Sequence, residues 1–566
     1  MIKTQIAFEL EVLYKHGFFS DLDYFLAKSM AVVFNAKDPV VIASCALISK
    51  LLFEGHICLD MPALAGTQKP ISEAGHVFLK YPETDTWICS LKNSLLVSDN
   101  IHTPLVLDPG LKLYLAKYFD FQNRLTDNIA KRVTFSRPPM DEALVDEIIK
   151  IFFPSCDEHH QPQKRAVKNA LIKQFTIISG GPGTGKTFVI NIIRKALSLY
   201  TKKTGQAEYK MMCVAPTGKA SSRMEGGLTI HSALKPLINR PGFYHNKTNS
   251  LNKDVVIIDE ASMVDLPLLV RLLEAAPLES RVIMTGDKHQ LTSIQAGAVF
   301  SDLCAVNGLS SNMVLLNHNF RSRGQTGIEK LSKAINEMDV PGFESLLLSR
   351  ENPDLIFEGY TNKESVNRIF QQYIETEYRS FGEAEKGEDA LNKLDEFRIL
   401  CAHNKGEYGT LQINHICEKI LRSSHNSGIE KKPFIRPIMV NTNDYGKGLF
   451  NGDTGVALEK KGEVTAFFKN LDNRIKPYRY SDLPSHDTAF AITIHKSQGS
   501  EFNTVLMVIP NRFSPVVTKQ LLYTGVTRAR KKVILFGDLD VLKAAIRMNV
   551  KRYSGIEESL EKNLRK

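Results

Sequence analysis

The stretch Thr176–Ile190, TIISGGPGTGKTFVI, reads as a buried strand, a glycine loop and the start of a helix. Gly180-x4-Gly185-Lys186-Thr187 matches the phosphate-loop pattern without a mismatch. Gly180, Gly181, Pro182, Gly183, Thr184 and Gly185 form a turn whose backbone N–H groups can face inward around phosphate oxygens. The helix that starts there adds its positive end. Lys186 is expected to reach the β- and γ-phosphates, and Thr187 to hold Mg²⁺. The loop alone leaves the use of the energy open, because kinases, GTPases, transporter subunits and DNA motors can all begin this way.

Further along, VVIIDEAS (Val255–Ser262) ends an apolar strand on Asp259 and continues into Glu260. Asp259 is placed to share the Mg²⁺, and Glu260 to polarise an attacking water as general base. That pair favours hydrolysis over transfer to a substrate hydroxyl. MTGDKHQLTSIQAG (Met284–Gly297) is a third strand-to-loop element, and Gln290 in it can sense the γ-phosphate. Arg321 in LNHNFRS and Arg528 in LLYTGVTRAR lie far downstream. Phosphoryl-transfer sites recruit such arginines from a neighbouring domain to meet transition-state charge. If both reach the loop, the nucleotide sits in a cleft between two lobes.

The strands FTIISG, KMMCVAPT, DVVIIDEAS and SRVIMTGD each end in a small, polar or acidic residue. That is the pattern of a doubly wound α/β sheet, whose ligands gather at the C-terminal strand ends. A second α/β pattern starts near 313 and includes FRILCAH, TAFAITIHKSQ, NTVLMVIP and KKVILFGD. Between them, Phe434–Asp482 has short alternating strands and Asn-Asp, Gly-Lys-Gly and Asn-Gly-Asp turns, and reads as a small inserted β-barrel. Residues 1–118 read as mainly helical, with a turn at Asp108-Pro109-Gly110 followed by a helix. The expected division is 1–118, 119–312 and 313–566, with the insertion at about 434–482.

The chain has 566 residues and a net charge of +10. Residues 1–135 hold 13 Lys+Arg against 14 Asp+Glu, so the whole basic excess lies in the part that carries the phosphate loop. A basic excess there suits a polyanion such as nucleic acid. APTGKAS, LTIHSAL and ITIHKSQGSEF offer Pro216, Thr217, Lys219, Thr229, His231, Thr493 and His495 on loops after strands. Backbone N–H, hydroxyl and basic groups so placed grip a single strand without reading its sequence. The eight cysteines are scattered with no C-x-x-C, as expected in a reducing compartment, and Cys156 beside His159 and His160 lacks a second ligand pair at zinc spacing. The N-terminal MIKTQIAFELEVLYKHGF carries acids in its apolar run and does not read as a signal peptide, nor is there a run of about 18 apolar residues to span a membrane.

Taken in order, the motifs resemble those of a superfamily 1 helicase. Gln163 in QPQKRAV resembles the glutamine that reads adenine in that superfamily. GDKHQLTSIQAGAVFSDLC, LCAHNKGEYGTLQIN, RPIMVNTNDYGKGLFNGDTGVAL, TIHKSQGSEFNTVLMVIP and the earlier EGHICLDMPAL are similar to stretches of the RecD family, the alpha subunit of the RecBCD exonuclease V. The resemblance implies two RecA-like P-loop NTPase lobes, an SH3-like β-barrel insertion and an N-terminal domain that docks on a RecC-like subunit. It implies an ATP- and Mg²⁺-dependent 5′→3′ motor on single-stranded and duplex-end DNA. Such a motor works in the cytoplasm in a heterotrimer with RecB-like and RecC-like subunits, in double-strand break repair, recombination and degradation of linear DNA. The nuclease site is then expected in the RecB-like partner. It also implies nucleotide contacts from Phe320, Gly499 and Glu501. Phe320 stands where the family commonly has tyrosine, and Pro162 where it often has an aromatic. A stand-alone RecD-like helicase and a DNA-stimulated regulatory ATPase clamp are the alternatives.

Overall fold

The computed structural model describes residues 4–565 apart from 72–75, 137, 155–156, 238–239, 294, 321–325, 361–362, 427–433, 445, 461 and 471–473. Two parallel sheets dominate it. The first is six-stranded, in the order Leu228–Thr229, Met211–Ala215, Val255–Ile258, Arg281–Gly286, Phe175–Gly180, Met313–Leu316. The strands Phe175–Gly180, Val255–Ile258 and Arg281–Gly286 are buried along their whole length, as strands covered on both faces must be. The second sheet has the order Leu355–Gly359, Ala529–Gly537, Phe502–Val508, Phe397–Cys401, Ala491–Thr493, and every pairing in it is parallel.

The strand Met313–Leu316 pairs with Ile177–Gly180, so the first lobe extends past the expected boundary at 312. The apolar run MVLL completes the edge of the first sheet, and chain order alone did not reveal that. At the other end, the helix Ala116–Val133 packs on the first lobe through Phe121, Leu125 and Ile129. Its Arg132, fully buried, donates to the carbonyls of Leu273, Ala276, Pro277 and Ser280 at 3.0, 2.7, 3.0 and 2.9 Å. Those carbonyls lie at the C-terminal end of the helix Leu266–Ala275 and in the turn after it, where intrahelical donors run out; the Pro277 carbonyl also accepts from the Ser280 N–H at 3.0 Å. The C-terminal helix Ile556–Leu564 also leaves the second lobe and buries Ile556 and Leu560 in the core of the first. The expected third unit, 313–566, is therefore corrected at both ends.

Residues 4–115 hold helices at Leu10–Lys15, Asp21–Val33, Pro39–Phe53 and Thr84–Lys92, around a core that includes Trp87. Two small sheets accompany them, one of three strands and one of four. After Asp108-Pro109-Gly110 the chain forms the strand Lys112–Leu115 before any helix, pairing back on Leu105–Leu107. The turn closes a hairpin there, because Leu113 and Leu115 are needed on the sheet rather than on a helix face. The insertion is a five-stranded antiparallel sheet in the order Ile475–Arg479, Glu463–Lys469, Thr454–Lys460, Phe434–Val440, His486–Thr488. It reaches to Thr488, beyond the expected 482, and it has a core of its own with Ile438, Val440, Ala466 and Phe468. Among the described residues no helix is long and apolar enough to cross a membrane. The seven described cysteines are free, and Cys156 lies outside the described residues.

Candidate functional site

The phosphate loop leaves a buried strand at Gly180 and enters the helix Lys186–Thr204. Gly183 and Gly185 have φ of 80° and 87°, the left-handed region where a side chain is strained. Gly180 has no room for a side chain, since a Cβ there would lie 2.5 Å from Thr184 Oγ1. Lys186 Nζ donates to the carbonyls of Gly180 at 2.6 Å and Gly181 at 3.1 Å, folded back over its own loop. Thr184 Oγ1 donates to the Gly181 carbonyl at 2.8 Å. Pro182 and Thr187 are half-buried on the rim.

Asp259 and Glu260 follow the strand Val255–Ile258 and are both buried. Asp259 Oδ1 accepts from Thr285 Oγ1 at 2.5 Å and from the Glu260 N–H at 2.9 Å. Burial, and then the adjoining Glu260, push the Asp259 carboxyl up, while Thr285 and the nearby Lys186 pull it down. Glu260 has φ of 51°, an unusual conformation for a residue with a side chain. At the end of the next strand, Asp287 Oδ2 accepts from Gln290 Nε2 at 3.0 Å and from the Tyr523 hydroxyl of the second lobe at 3.1 Å.

Arg528 is also buried in the second lobe, with Nε on the Thr524 carbonyl and Nη1 on the Ser500 carbonyl, both at 3.1 Å. Burial lowers its pKa, while the negative fields of Glu260 and Glu501 raise it. Gln163 is 2% exposed; its Nε2 donates to the Thr184 carbonyl at 3.0 Å and its Oε1 meets His160 Nδ1 at 2.7 Å. The ring of Phe320 stacks on His160 at 4.8 Å, and the Phe320 N–H donates to the Gly183 carbonyl at 2.9 Å. A cavity of about 650 Å³ runs between the lobes, lined by Gly180, Gly181, Thr184, Asp287, Tyr523 and Arg530 among others.

Thus Gln163 and Phe320 bond the loop from Gly180 to Thr187, which lines the cavity; Gln290 hangs from Asp287 on the cavity wall; Asp259 and Glu260 feel the charges of Lys186 and Arg528. Arg321 lies outside the described residues. Gly499, with φ of 72°, sits against Thr217 and Ala220 of the first lobe. Glu501 pairs with Arg530 at 3.1 Å. Thr217 and Thr229 cap short helices, accepting from the N–H groups of Ala220 and Ser232. Lys219 lies 3.8 Å from Asp395 and over the Phe502 ring, and burial brings its ammonium down to about 8. Pro216 follows the strand Met211–Ala215, and His231 is exposed beside Phe243. Thr493 Oγ1 accepts from the Lys496 N–H at 3.2 Å, and half-buried His495 has its pKa lowered by burial.

Residues 163–296 match the model of an AAA domain and 488–536 that of a UvrD-like helicase C-terminal domain. Residues 15–114 match the RecBCD enzyme subunit RecD, N-terminal domain. The RecBCD enzyme subunit RecD of Mycolicibacterium smegmatis is 30% identical, over 95% of this chain and 97% of that protein. This chain belongs to the RecD family. The RecD of Mycobacterium tuberculosis is 31% identical, over 95% of this chain and 94% of its own. Among solved structures, a Bacteroides Pif1 helicase in complex with ADP-AlF3 and single-stranded DNA is similar at 17% identity and a TM-score of 0.37, over 73% of this chain and 95% of that one.

In this RecD-family chain, Asp287 and Tyr523 line the cavity, Thr285 holds Asp259 and Gln498 bonds the Leu291 carbonyl, although no motif singled them out. Asp287 carried the same signal as Asp259, an acid closing a buried strand. Tyr523 carried none beyond its place five residues before Arg528.

Proposed function

We propose that the chain is an ATP-hydrolysing 5′→3′ DNA helicase, a RecD subunit acting with RecB-like and RecC-like partners in the cytoplasm on DNA ends. The observation that carries this reading is the phosphate loop, with Lys186 folded over it, facing Tyr523 and Arg530 of the other lobe across one cavity, with the buried Asp259–Glu260 pair at the end of a strand of the same sheet. On this reading Lys186 leaves the Gly180 and Gly181 carbonyls for the phosphates. Glu260 takes a proton from the attacking water, and Arg528 meets the charge that develops on the γ-phosphoryl oxygens. Gln290 senses that same phosphate, and Arg321 joins Arg528 in meeting its charge. Gln163 and Phe320 hold adenine by hydrogen bond and by stacking.

The donor set of Thr187 hydroxyl and Asp259 carboxylate fits Mg²⁺. Among the described residues no group of three or more His, Cys, Asp or Glu could hold a metal ion, and Mg²⁺ bound with a nucleotide needs no such cage. When bound there it neutralises β- and γ-phosphate charge.

The domain reading follows the packing: a partner-docking unit to Leu115, a first lobe from Ala116 through Leu316, and a second lobe with an SH3-like insertion. Docking on a RecC-like subunit is supported by the helix Asp21–Val33, which presents Leu22, Phe25, Val32 and Val33 on one face at 56, 60, 81 and 74% exposure. Single-stranded DNA runs over the loops of Pro216, Thr217, Lys219, Thr229, His231, Thr493 and His495.

The test is ATP-driven opening of two matched duplexes, one 5′-tailed and one 3′-tailed, by the chain alone and with its partners, with Lys186→Gln as blank. Opening of the 5′-tailed duplex only is expected. Opening of the 3′-tailed duplex overturns the polarity. Opening of neither in the partner lane, with DNA-stimulated ATP hydrolysis intact, establishes a clamp in place of a helicase.

A further inference from the structure

Three hydrogen bonds cross from the second lobe to one short stretch of the first. The Tyr523 hydroxyl donates to Asp287 Oδ2 at 3.1 Å. Thr524 Oγ1 accepts from the Leu291 N–H at 2.9 Å, and Gln498 Nε2 donates to the Leu291 carbonyl at 2.8 Å. Between these anchor points lies Gln290, whose amide donates at 3.0 Å to the same carboxylate oxygen that the phenol holds. Asp287, Gln290 and Tyr523 are 1, 3 and 5% exposed, so water does not compete for these bonds. The other oxygen, Asp287 Oδ1, is held by the His289 N–H at 3.0 Å. The phenol also lies over the phosphate loop: a Cβ on Gly181 would sit 3.0 Å from its oxygen.

A primary amide has two N–H hydrogens. With one committed to Asp287, the direction of the other is set by where the carboxylate stands. The carboxylate is held from one side by its own backbone and from the other by a group that moves with the second lobe. Burial and the adjacent Asp287 keep the phenol protonated and therefore a donor.

We propose that Tyr523 is a positioning residue for ATP hydrolysis, which orients the Gln290 amide through Asp287 and does so only while the two lobes are together. The proposal rests on the ATP-hydrolysing reading above. It makes Asp287 the joint at which the position of the second lobe reaches the phosphate site, and it assigns the phenol no contact with the nucleotide.

The test is steady-state ATP hydrolysis by the full chain, with Mg²⁺ and saturating oligo-dT, for wild type, Tyr523→Phe, Gln290→Ala and the double variant. Tyr523→Phe is expected to lower kcat roughly tenfold, the rate equivalent of one hydrogen bond to a charged group, with KM for ATP within about twofold. Combined with Gln290→Ala it is expected to add nothing, since the phenol acts through that amide. Asp287→Asn, which keeps the shape and weakens both bonds, is expected to match Gln290→Ala. Thermal unfolding midpoints verify that each variant is folded. An unchanged kcat in Tyr523→Phe, or a loss that multiplies with that of Gln290→Ala, overturns the inference and leaves the function standing. A wild-type chain without turnover overturns both.

Discussion

Two of the polar seams between the lobes are built on opposite principles. At the cleft, the second lobe meets the first through Tyr523, Thr524 and Gln498, all on the loop Asp287–Leu291 beside the phosphate site. On the far side, the segment Arg552–Leu564 is bound to the first lobe and to the N-terminal unit at once. Arg552 Nη1 donates to the carbonyls of Ser293, Gln295 and Gly297, at 2.7, 3.1 and 3.1 Å. The Tyr553 N–H meets His56 Nδ1 at 2.9 Å, and Lys112 reaches both the Ser554 carbonyl and Glu558. The cleft has few bonds and an open cavity of about 650 Å³ beside it. The far seam adds the buried apolar contacts of Ile556 and Leu560. A joint that must open is made of a few replaceable polar contacts, and a joint that must stay shut is backed by hydrophobic area.

That contrast breaks if cleft variants unfold the protein or if far-seam variants silence it. Arg528→Ala carries the largest expected effect: a fall in kcat of about 10³-fold or more, with ATP affinity little changed, measured by steady-state kinetics and nucleotide titration. A fall in affinity alone would remove the arginine from the transition state. Arg132→Leu comes next and acts on stability. It removes the buried guanidinium from four carbonyls, and those of Ala276 and Ser280 lose a short bond, so a loss of roughly 3 kcal/mol is expected in denaturant unfolding, with kcat per folded molecule unchanged.

Asp302 sharpens the comparison through pH. Its carboxyl, facing Ser554, Glu557, Glu558 and Arg552, is pushed up to about 7, first by burial. A folded pKa above the ordinary value means that the folded state holds the proton more tightly. The stability this contributes is full below about pH 4 and is lost as pH rises through 7. Relative to wild type, Asp302→Asn is therefore expected to gain roughly 2–4 °C in unfolding midpoint between pH 5 and pH 8. His56 works in the other direction: burial brings it down to about 4, so its contribution is present above about 6.5 and lost as pH falls toward 4. Glu558→Ala is the smallest change, below about 1 kcal/mol, because Glu558 is 66% exposed and Lys112 keeps the Ser554 carbonyl.

The cleft was the legible half. Strands with acids at their ends, a glycine loop and a chain-distant arginine each have a local signature, and Phe175–Gly180 appears where the apolar run FTIISG placed it. The far seam was not legible, because nothing in Ile556–Leu564 distinguishes a helix that stays with its own lobe from one that crosses to another. The same holds for Met313–Leu316, whose partner strand lies more than a hundred residues earlier. Lys219 shows a subtler limit. Its motif predicts an open cationic loop, yet the second lobe faces it with Asp395 and Phe502, a neighbourhood that only the packed lobes create.

The C-terminal crossing also has a mechanical consequence. The chain passes between the lobes twice, once from Leu316 toward Gly327 and once from Arg547 toward Ile556. A body tethered at one point can swivel about any axis. A body tethered at two has its excursions bounded by the shorter of the two connections as well as the longer. Separation of the lobes is then limited by the reach of two chain segments rather than one.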